Sequence, residues 1–595
     1  MKKFTVLSLV MGFSFLYACA AQPEETPVDV YAEPTPVAQE DLRADIVVIG
    51  AGGAGMSAAL QAHQEGVRNI VIVEQMPMTG GNTTLATGGM NAAGTRYQEE
   101  GDDYPDLMFD DTMRGGNYIN DEALVRILAD YSAEAVYWLN DNFNAGLVGV
   151  GRGGGAGAAR FHRPADGTAV GPAVVRALNS GLAGANIPVM LNTTATEILL
   201  DDSGQVVGIV AERGGESFTI YAGAVILASG GFGANPQMLT QWDSALEGFG
   251  TTNHVGATGS GIEMAVAIGA ALVDMEHIQT HPTVNPATSI MFTEAMRGEG
   301  ALLINMEGQR FVDELDTRDV VSEATLAQTD NFGLLLFDTR IRETLAVIES
   351  YINAGIITSG DSPAALARAL GIDPTALEET IEGYNAFVDA GVDQDFGRNA
   401  ALYRLEGPYF YAGITVPAVH HTMGGVAVNP ATEVVNQDGA VIPGLFAAGE
   451  VIGGVHGDNR LAGNAVADII VFGRIAGTNA AEFVRANFGL ADEAFYAPGY
   501  ELTIIPEAPG NFTDGVFEGV GRGYGGDLVV QVTVENGNIV DILLLEHNET
   551  YPIYAAAERE VIGAIISTQN LRVDTTTAAT LTSNAIMDAV ANALR

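Results

Sequence analysis

Cysteine and lysine are almost absent from this sequence. Cys19 is the single cysteine, so the chain beyond it can form no internal disulfide, no thiolate metal site and no cysteine nucleophile. The only lysines are Lys2 and Lys3, which leaves no amine further along the chain for Schiff-base chemistry. Because a CxxCH motif needs two cysteines, covalent c-type haem is excluded as well.

Positive charge is also scarce. The 595 residues include 27 Lys and Arg against 74 Asp and Glu, which gives a formal net charge of -47. Such an acidic chain argues against nucleic acid as a partner and against docking on anionic lipid. With 47% hydrophobic residues, the chain is long enough to bury the cores of about two to four domains.

The first residues predict export. Residues 1–18 carry two lysines and an apolar run too short to span a bilayer, as in a lipoprotein signal peptide. The run LYAC, which ends at Cys19, resembles a bacterial lipobox and implies lipidation of that cysteine; a plain secretory signal is the alternative. Residues 19–42 are rich in Pro and Glu and predict an extended tether. We therefore expect an extracytoplasmic protein anchored to a membrane surface.

A dinucleotide-binding unit is predicted directly after the tether. The run ADIVVIGAGGAGMSAAL has the pattern of a strand, a glycine turn and a helix, and the next strand ends at Glu74. A pyrophosphate would lie on the helix N-terminus, and Glu74 would accept a hydrogen bond from a ribose hydroxyl. The turn contributes the predicted cofactor-binding residues Gly50, Gly52, Ala54 and Gly55.

Further glycine-rich loops indicate which dinucleotide binds. They are GGNTTLATGGMNAAGT at 80–95, LASGGFG at 227–233 and GLFAAGE at 444–450. Several loops that converge on one extended cofactor suit FAD better than a nicotinamide nucleotide.

Arginines and histidines cluster among Gly and Thr motifs in the middle of the chain. A planar guanidinium binds a carboxylate through two parallel hydrogen bonds, so two arginines with histidines and a threonine can hold a dicarboxylate. The same groups would withdraw density from a conjugated double bond and stabilise the charge that follows hydride arrival. The residues concerned are His281, Thr293, Glu294, Arg297, Arg318, His420, His421 and Arg460.

A series of motifs resembles one enzyme family. GGMNAA, HPT, FTEAMRG, DTRD, HHTMGG, PGLFAAGE and GVHGDNRLAGNA lie in this order between residues 43 and 485. Together they resemble the soluble flavocytochrome c family of fumarate reductases, flavoprotein relatives of succinate dehydrogenase. The resemblance implies an α/β fold with a Rossmann-like FAD-binding domain at 43–237 and 401–490, and a mobile α+β capping domain at 238–400.

The resemblance also implies the other FAD contacts. Membrane-bound relatives attach FAD through a histidine in the first glycine-rich loop, where this chain has Asn82, so FAD is expected to bind non-covalently. The further FAD-binding residues implied are Thr83, Gly88, Gly89, His421, Glu450, Ala465 and Val466.

For the substrate, the resemblance gives each clamp residue a role. Arg460 and His420 would hold one carboxylate of fumarate. His281 and Thr293 would hold the other, and Met291 would pack against the substrate.

Proton delivery is assigned to Arg318 by the same resemblance. Glu294 and Arg297 would resupply its proton, since an i, i+3 pair can share one helical face. Relatives that reduce urocanate, acrylate or cinnamate differ at the positions of His281, Thr293 and Glu294, and this chain keeps the dicarboxylate-type residue at all three. Fumarate is therefore favoured over those 2-enoates. The intact clamp arginines also favour an enzyme over a non-catalytic flavin-carrying lipoprotein.

A second flavin domain is predicted at residues 500–595. The run VTVENGNIV alternates polar and apolar residues around an Asn-Gly turn, which predicts a β-hairpin. The segment resembles the small α+β FMN-binding domain of sodium-pumping quinone reductases, which carries FMN by a phosphoester on the last threonine of a D-x-x-[ST]-G-A-T run. That run is DTTTAAT here, with Ala578 for the usual glycine, so FMN is expected on Thr580. A helix that follows, with Ser583 as its cap, would favour the phosphate.

Two flavins in one chain imply an order of electron transfer. A membrane electron donor would reduce FMN on Thr580, FMN would reduce FAD, and FAD would reduce fumarate to succinate in anaerobic respiration. The implied partners are the small dicarboxylate, the membrane donor and a flavin transferase that attaches FMN.

Overall fold

A computed structural model describes residues 42–99, 101–345, 347–497, 512–522, 526–535, 537–547, 558–568, 571 and 580–594. The expected signal peptide, Cys19 and the tether up to residue 41 lie outside these residues, as do residues 574–579 of the expected FMN run. None of the helices in the described ranges combines the length and the apolar character needed to cross a membrane.

Strands and helices are numbered separately in chain order. The strands are β1 (Leu42–Ile49), β2 (Ile70–Val73), β3 (Met90–Asn91), β4 (Leu147–Gly151), β5 (Phe161–Pro164), β6 (Val189–Met190), β7 (Thr194–Leu200), β8 (Val206–Arg213), β9 (Glu216–Leu227), β10 (Leu272–Val273), β11 (Ile278–Val284), β12 (Leu302–Ile304), β13 (Gly333–Asp338), β14 (Thr358–Gly360), β15 (Phe410–Thr422), β16 (Gly425–Val426), β17 (Glu433–Val435), β18 (Val441–Ala447), β19 (Gly515–Arg522), β20 (Asp527–Glu535) and β21 (Asn538–Glu546). The α-helices are α1 (Gly53–Gln64), α2 (Pro105–Gly115), α3 (Glu122–Phe143), α4 (Val170–Ala185), α5 (Pro236–Trp242), α6 (Ser260–Ala267), α7 (Ala295–Gly298), α8 (Arg318–Leu326), α9 (Thr339–Thr344), α10 (Val347–Asn353), α11 (Pro363–Leu370), α12 (Pro374–Ala390), α13 (Asn464–Asn487), α14 (Gly563–Thr568) and α15 (Thr580–Ala593).

The largest sheet contains the predicted dinucleotide-binding unit. Its main path runs β17-β18-β9-β1-β2-β6, and β1 is parallel to both β2 and β9. Every residue of β2 is buried, as expected for a parallel strand covered on both faces. Pairing of Ile49 with Val73 and Leu227, and of Leu227 with Ala447, brings the carboxyl ends of four strands to one edge. A crevice at such an edge is where open α/β sheets bind ligands.

Helix α1 packs closely against α13 next to this crevice. A Cβ on Gly473 would lie 2.7 Å from the carbonyl oxygen of Ala54, and one on Gly477 would lie 2.3 Å from that of Ala58. Glycine at both positions therefore lets the helix backbones meet directly. The N-terminus of α13 is held next to the glycine turn that precedes α1.

A second sheet forms a separate core. Its strands run β11-β15-β13-β12, with β14 also paired to β15, and the buried apolar residues around it extend from Phe292 to Ala412. These limits differ from the expected capping domain at 238–400. Residues 238–275 contribute Met238, Ile262 and Met275 to the core of the large sheet, and β15 continues the second sheet to residue 422.

A small antiparallel sheet, β3-β5-β4, is formed by residues between β2 and β6 of the large sheet and carries the glycine-rich run 151–157 after β4. In its register, Val150 pairs with His162 and Gly151 with Phe161.

The C-terminal residues form a third, smaller α+β unit. Strands β19, β20 and β21 are antiparallel, and the hairpin predicted around Gly537 is confirmed. Helix α15 lies directly on β19, because a Cβ on Gly519 or Gly521 would come within 2.0 Å of a carbonyl oxygen of that helix. The helix begins at Thr580, so Ser583 lies in its first turn and is not its cap. The prediction placed the start of the helix too late because hydroxyl residues occur both at helix caps and in the first turn.

Candidate active site

Two adjoining cavities follow the crevice of the large sheet. The larger has a volume of about 1360 Å³ and is lined by residues of both cores. The smaller, of about 110 Å³, lies at the strand ends, and both are lined by Asn82, Thr83 and Glu450. Together they offer one extended path, which suits a long dinucleotide with its two ends in different surroundings.

The predicted FAD-binding residues divide between the two cavities. Gly50, Gly52, Ala54 and Glu74 line the smaller one, whereas Gly55 packs behind it, where a Cβ would lie 2.0 Å from the carbonyl oxygen of Gly50. The predicted residues that line the larger cavity are Asn82, Thr83, Gly88, Gly89, His421, Glu450, Ala465 and Val466.

The glycine turn and the predicted ribose acceptor lie together. Gly50 has φ +102°, a conformation that side chains disfavour, and a Cβ there would lie 2.4 Å from the carbonyl oxygen of Ala228. The buried Glu74 carboxylate accepts from the backbone N–H groups of Ala51 (2.7 Å) and Met76 (2.8 Å). Burial raises the pKa of Glu74 despite these bonds. Each carboxylate oxygen retains a lone pair for a further donor.

Asn82 occupies a short 3₁₀ helix, Gly81–Leu85, at the junction of the cavities. Its amide oxygen accepts from the backbone N–H of His254 (2.6 Å), and its amide nitrogen donates to Asn253 Oδ1 (2.6 Å) and to Glu450 Oε2 (3.4 Å). The side chain at the position of the histidyl-flavin bond therefore uses both its donor and its acceptor in contacts with the protein.

His421 supplies an unused polar atom at the same junction. Its Nδ1 lies 3.4 Å from Glu450 Oε1, and its Nε2 is buried with no hydrogen-bond partner among the described residues. Burial, with Arg460 nearby, lowers the pKa of His421 well below its ordinary value, so the ring is neutral. An unpaired nitrogen buried against a cavity indicates a polar ligand there, and a flavin ring edge fits it.

Two arginines share one acceptor in the larger cavity. The amide oxygen of Gln279 accepts from Arg318 Nη1 (2.8 Å) and from Arg460 Nη2 (3.0 Å). Gln279 was not predicted from the sequence. It lies two residues before His281 on β11, and since alternate residues of a strand share a face, that spacing is the signal that could have found it.

The two predicted substrate histidines face each other. The ring centroids of His281 and His420 are 5.1 Å apart in an edge-to-face arrangement, and His281 Nε2 has no partner in the described part of the chain. His420 Nδ1 lies 2.7 Å from the hydroxyl of Thr252, a contact that the sequence did not reveal. Burial, followed by the charge of Arg318, lowers the pKa of both histidines well below the ordinary value.

Glu294 links the other two predicted catalytic residues. Its Oε2 accepts from Arg318 Nη2 at 2.6 Å, and its Oε1 lies 3.8 Å from Arg297 Nη2 across the short helix α7. Burial alone would raise the pKa of Glu294, but the two guanidiniums outweigh it and lower the pKa to about 2. Glu294 is thus an anion between two cations, with Arg297 and Arg318 on either side.

Burial lowers the pKa of two arginines in this cluster. It lowers the pKa of Arg297, and it lowers the pKa of Arg460 to about 9, with Arg318 as the next cause. Arg460 Nε and two nitrogens of Arg297 have no hydrogen-bond partner among the described residues. This cluster has more positive charge than its surroundings neutralise, which is the condition for binding an anion.

Of the predicted substrate residues Met291 and Thr293, only Met291 lines the larger cavity, as expected of a residue that packs on substrate. Thr293 does not line it; its hydroxyl oxygen lies 3.4 Å from that of Thr87, which does.

A buried ionic cluster holds the backbone of the segment that carries Glu294 and Arg297. Glu314 is fully buried and accepts from Arg310 (2.9 Å) and Arg398 (3.0 Å). Arg398 also donates to the backbone carbonyl of Arg297 (2.7 Å), while Arg297 Nη1 donates to the carbonyl of Glu314 (2.8 Å). Reciprocal bonds of this kind fix the backbone that carries Arg297 and Glu294.

Comparison with known proteins identifies the family. A family profile described as an FAD binding domain matches residues 45–466. A fumarate reductase (cytochrome) of Shewanella frigidimarina is 46% identical over 446 residues, which cover 74% of this chain and 78% of that protein. The chain belongs to the fumarate reductase flavoprotein family.

Further comparisons agree with that assignment. A solved structure, the open conformation of a flavocytochrome c3 fumarate reductase, has a TM-score of 0.65 and 38% identity, over 75% of this chain and 79% of that one. A urocanate reductase of Eggerthella lenta is 38% identical over 455 residues, or 73% of this chain and 74% of that protein. A second profile, described as an FMN-binding domain, matches residues 523–595. The predicted fold class, the two flavin-binding domains and the assignment as an FAD-dependent oxidoreductase are confirmed.

The glycine turn generates a test of the FAD site. Gly50→Ala is expected to retain less than roughly a tenth of the wild-type FAD, because a Cβ would strain the turn and displace the adjoining strand end. FAD released by acid from purified protein would be quantified by chromatography, with circular dichroism to check folding. Gly66→Ala is the matched control, since Gly66 has φ +97° but nothing within 4 Å of its Cβ position. Equal FAD content in the two folded variants would contradict the assignment.

Proposed function

We propose that this protein reduces fumarate to succinate, with FAD bound non-covalently in the two cavities. The observation that carries the proposal is the pairing of Arg318 and Arg460 on one amide oxygen, next to two neutral histidines. A small dianion would supply both the negative charge and the hydrogen-bond acceptors that this cluster needs. A carboxylate at each end of a four-carbon substrate suits two groups of donors in one pocket.

Each carboxylate of fumarate would have its own donors. Arg460 and His420 would bind one carboxylate, with Thr252 fixing the orientation of the His420 ring. His281 would bind the other through its unpaired Nε2. Thr293, which does not line the cavity, would act only through its contact with Thr87. Because these imidazoles are neutral, each can donate one hydrogen bond without adding further charge to a cationic site.

Bound FAD would supply a hydride to one carbon of the double bond. Arg318 would then donate a proton to the neighbouring carbon, and Glu294, whose oxygen lies 2.6 Å from Arg318, would return a proton to it. Arg297 would in turn reprotonate Glu294 across 3.8 Å. The carboxylate donors would also stabilise the negative charge that develops on the substrate.

A substrate screen tests this proposal. Reduced viologen would be used to measure kcat/KM with fumarate, urocanate, acrylate and cinnamate. We expect fumarate to exceed the others by at least about tenfold, because only a second carboxylate satisfies the donors at His281. A preference for urocanate, the substrate named for the Eggerthella relative, would replace fumarate with another 2-enoate. Absence of turnover with all four would favour a flavin carrier.

Arg318→Ala tests the proton donor. The variant is expected to bind FAD and fumarate yet lose nearly all turnover, since no lysine or cysteine lies nearby to replace the acid. Arg368→Ala, an exposed arginine on α11, is the matched control. Retention of more than roughly a tenth of kcat, about 1.4 kcal/mol of barrier, would show that another group donates the proton.

We further propose that electrons enter through FMN bound covalently to Thr580. Thr580 is the first residue of α15, where unpaired N–H groups and the helix dipole favour a phosphate. The C-terminal unit also reaches the active site, because Gly563 at the start of α14 lines the larger cavity. A short separation between the two flavins is what direct electron transfer between them requires.

The cellular setting belongs to the same proposal. Lipidation of Cys19 would anchor the protein at an extracytoplasmic membrane surface, within reach of a membrane electron donor. A flavin transferase would attach FMN to the threonine.

Thr580→Ala separates the two flavins. It should retain FAD, release no flavin-phosphate peptide on digestion, and keep viologen-driven fumarate reduction, because small dyes can reach FAD directly. Reduction driven by native membranes should be lost. Thr576→Ala removes a neighbouring hydroxyl and serves as the control. A covalent flavin in the Thr580 variant by mass spectrometry, or undiminished membrane-driven reduction, would refute the assignment.

A further inference from the structure

The rim of the larger cavity carries a cationic hairpin. Arg152 follows β4 and Arg163 lies on the paired strand β5, and both line the cavity. Arg152 is exposed to solvent as well, so it lies at the entrance. The Arg163 guanidinium lies 3.6 Å from the Cβ position of Gly151, the residue before Arg152.

Neither guanidinium has a salt bridge or a hydrogen bond to any described residue. The neighbouring Arg160, by contrast, is bound to both Asp103 and Asp111 at 2.9 Å. In a chain with 74 acidic residues and 27 basic ones, two arginines of one hairpin left without acidic partners are unexpected from composition. Both side chains line the cavity, and Arg152 is also exposed to solvent.

The same loop connects the rim to the reacting groups. A Cβ on Gly154 would lie 2.9 Å from Glu294 Oε1, and one on Gly155 would lie 2.9 Å from Leu461, the residue after Arg460. Glycines thus let the loop backbone pass directly over the catalytic residues, which holds Arg152 just outside them. An anion held at the rim would have little distance left to travel.

Acidic groups line the cavity as well. Asp316 is the one exposed acidic residue that lines the cavity within the described chain, and Asp313 lies beside it, partly buried. Burial raises the pKa of Asp313. Only one exposed acidic side chain therefore competes with Arg152 and Arg163 among the described residues that line the cavity.

We propose that Arg152 and Arg163 form a recruitment site for dicarboxylate anions, one that offsets the repulsion between a dianion and this highly acidic protein. The proposal rests on the proposed function. Long-range repulsion from a charge of -47 would slow encounter, whereas two guanidiniums at the entrance act at short range and raise the local concentration of anions. They would act on association and not on the chemical step.

The test is the ionic-strength dependence of kcat/KM in FAD-loaded full-length protein. Arg152→Gln, Arg163→Gln and the double variant would be compared with wild type, using viologen-driven reduction of fumarate and of acrylate. Arg368→Gln on α11 is the control, since it removes the same charge from an exposed site that does not line the cavity. FAD content would be measured for each protein.

We expect the double variant to lose about tenfold in kcat/KM for fumarate at roughly 10 mM ionic strength, where the Debye length is about 30 Å. The loss should shrink below about twofold near 1 M salt, where the Debye length is about 3 Å. It should be smaller for the monoanion acrylate, and kcat should change less than the loss in kcat/KM.

Several outcomes would overturn the inference. A loss that persists at high salt, or that is equal for the monoanion and the dianion, would show a structural role. Loss of FAD from the variants would show that the arginines bind the cofactor. An equal effect of Arg368→Gln would show that only net charge matters. Failure of wild type to reduce fumarate would refute the proposed function instead, and the salt comparison would then be made with whichever 2-enoate it does reduce.

Discussion

The arrangement of the site depends on two guanidiniums, a buried one on Arg460 and a partly buried one on Arg318, that share a single amide oxygen. Arg318 and Arg460 lie 2.8 and 3.0 Å from Gln279 Oε1, although their charges repel and burial strengthens that repulsion. Glu294 neutralises one of them, and the remaining positive charge has no full counterpart among the described residues. A site of this kind is most stable when an anion enters it, so the repulsion between the cations would favour binding of an anion such as a carboxylate.

Both cores are needed to hold that arrangement. Strand β11 carries Gln279 and His281 from the second sheet, and β15 pairs with it so that Gln279 lies opposite His421 at the junction of the cavities. Arg460 comes instead from the loop before α13, whose packing on α1 fixes it relative to the glycine turn. The substrate groups and the flavin groups are thus tied to the same two strands, and a relative shift of the cores would alter the distance between them.

Much of the site could be predicted because its chemistry restricts the residue types. A glycine turn between a strand and a helix at Gly50 is typical of nucleotide binding, and arginines placed among His and Thr motifs are typical of anion binding in so acidic a chain. Gln279 and Thr252 could not be predicted in the same way. Neutral hydrogen-bonding residues are common everywhere, and only the fold shows that one lies between two guanidiniums and the other against His420.

Boundaries were less predictable for a related reason. The second sheet extends to residue 422 because one long strand, β15, pairs with β13 and β14 in its first half and with β11 in its second. Composition does not change along a strand that serves two partners, so the expected limit at 400 had no local signal. The start of α15 was displaced similarly, since a hydroxyl-rich run can be either a cap or the first turn of the helix.

In the proposed reaction the cluster would bind an anion and also release a proton, and these demands conflict if one arginine must meet both. The structure separates them. Arg460, whose pKa burial lowers to about 9, has no carboxylate within salt-bridge distance among the described residues, so a substrate carboxylate would hold it in its charged form. Arg318 already has Glu294 at 2.6 Å, so it can give up a proton to the substrate and recover one from the same partner. The arginine that lacks an anion is thus suited to binding, and the arginine that has one is suited to proton transfer.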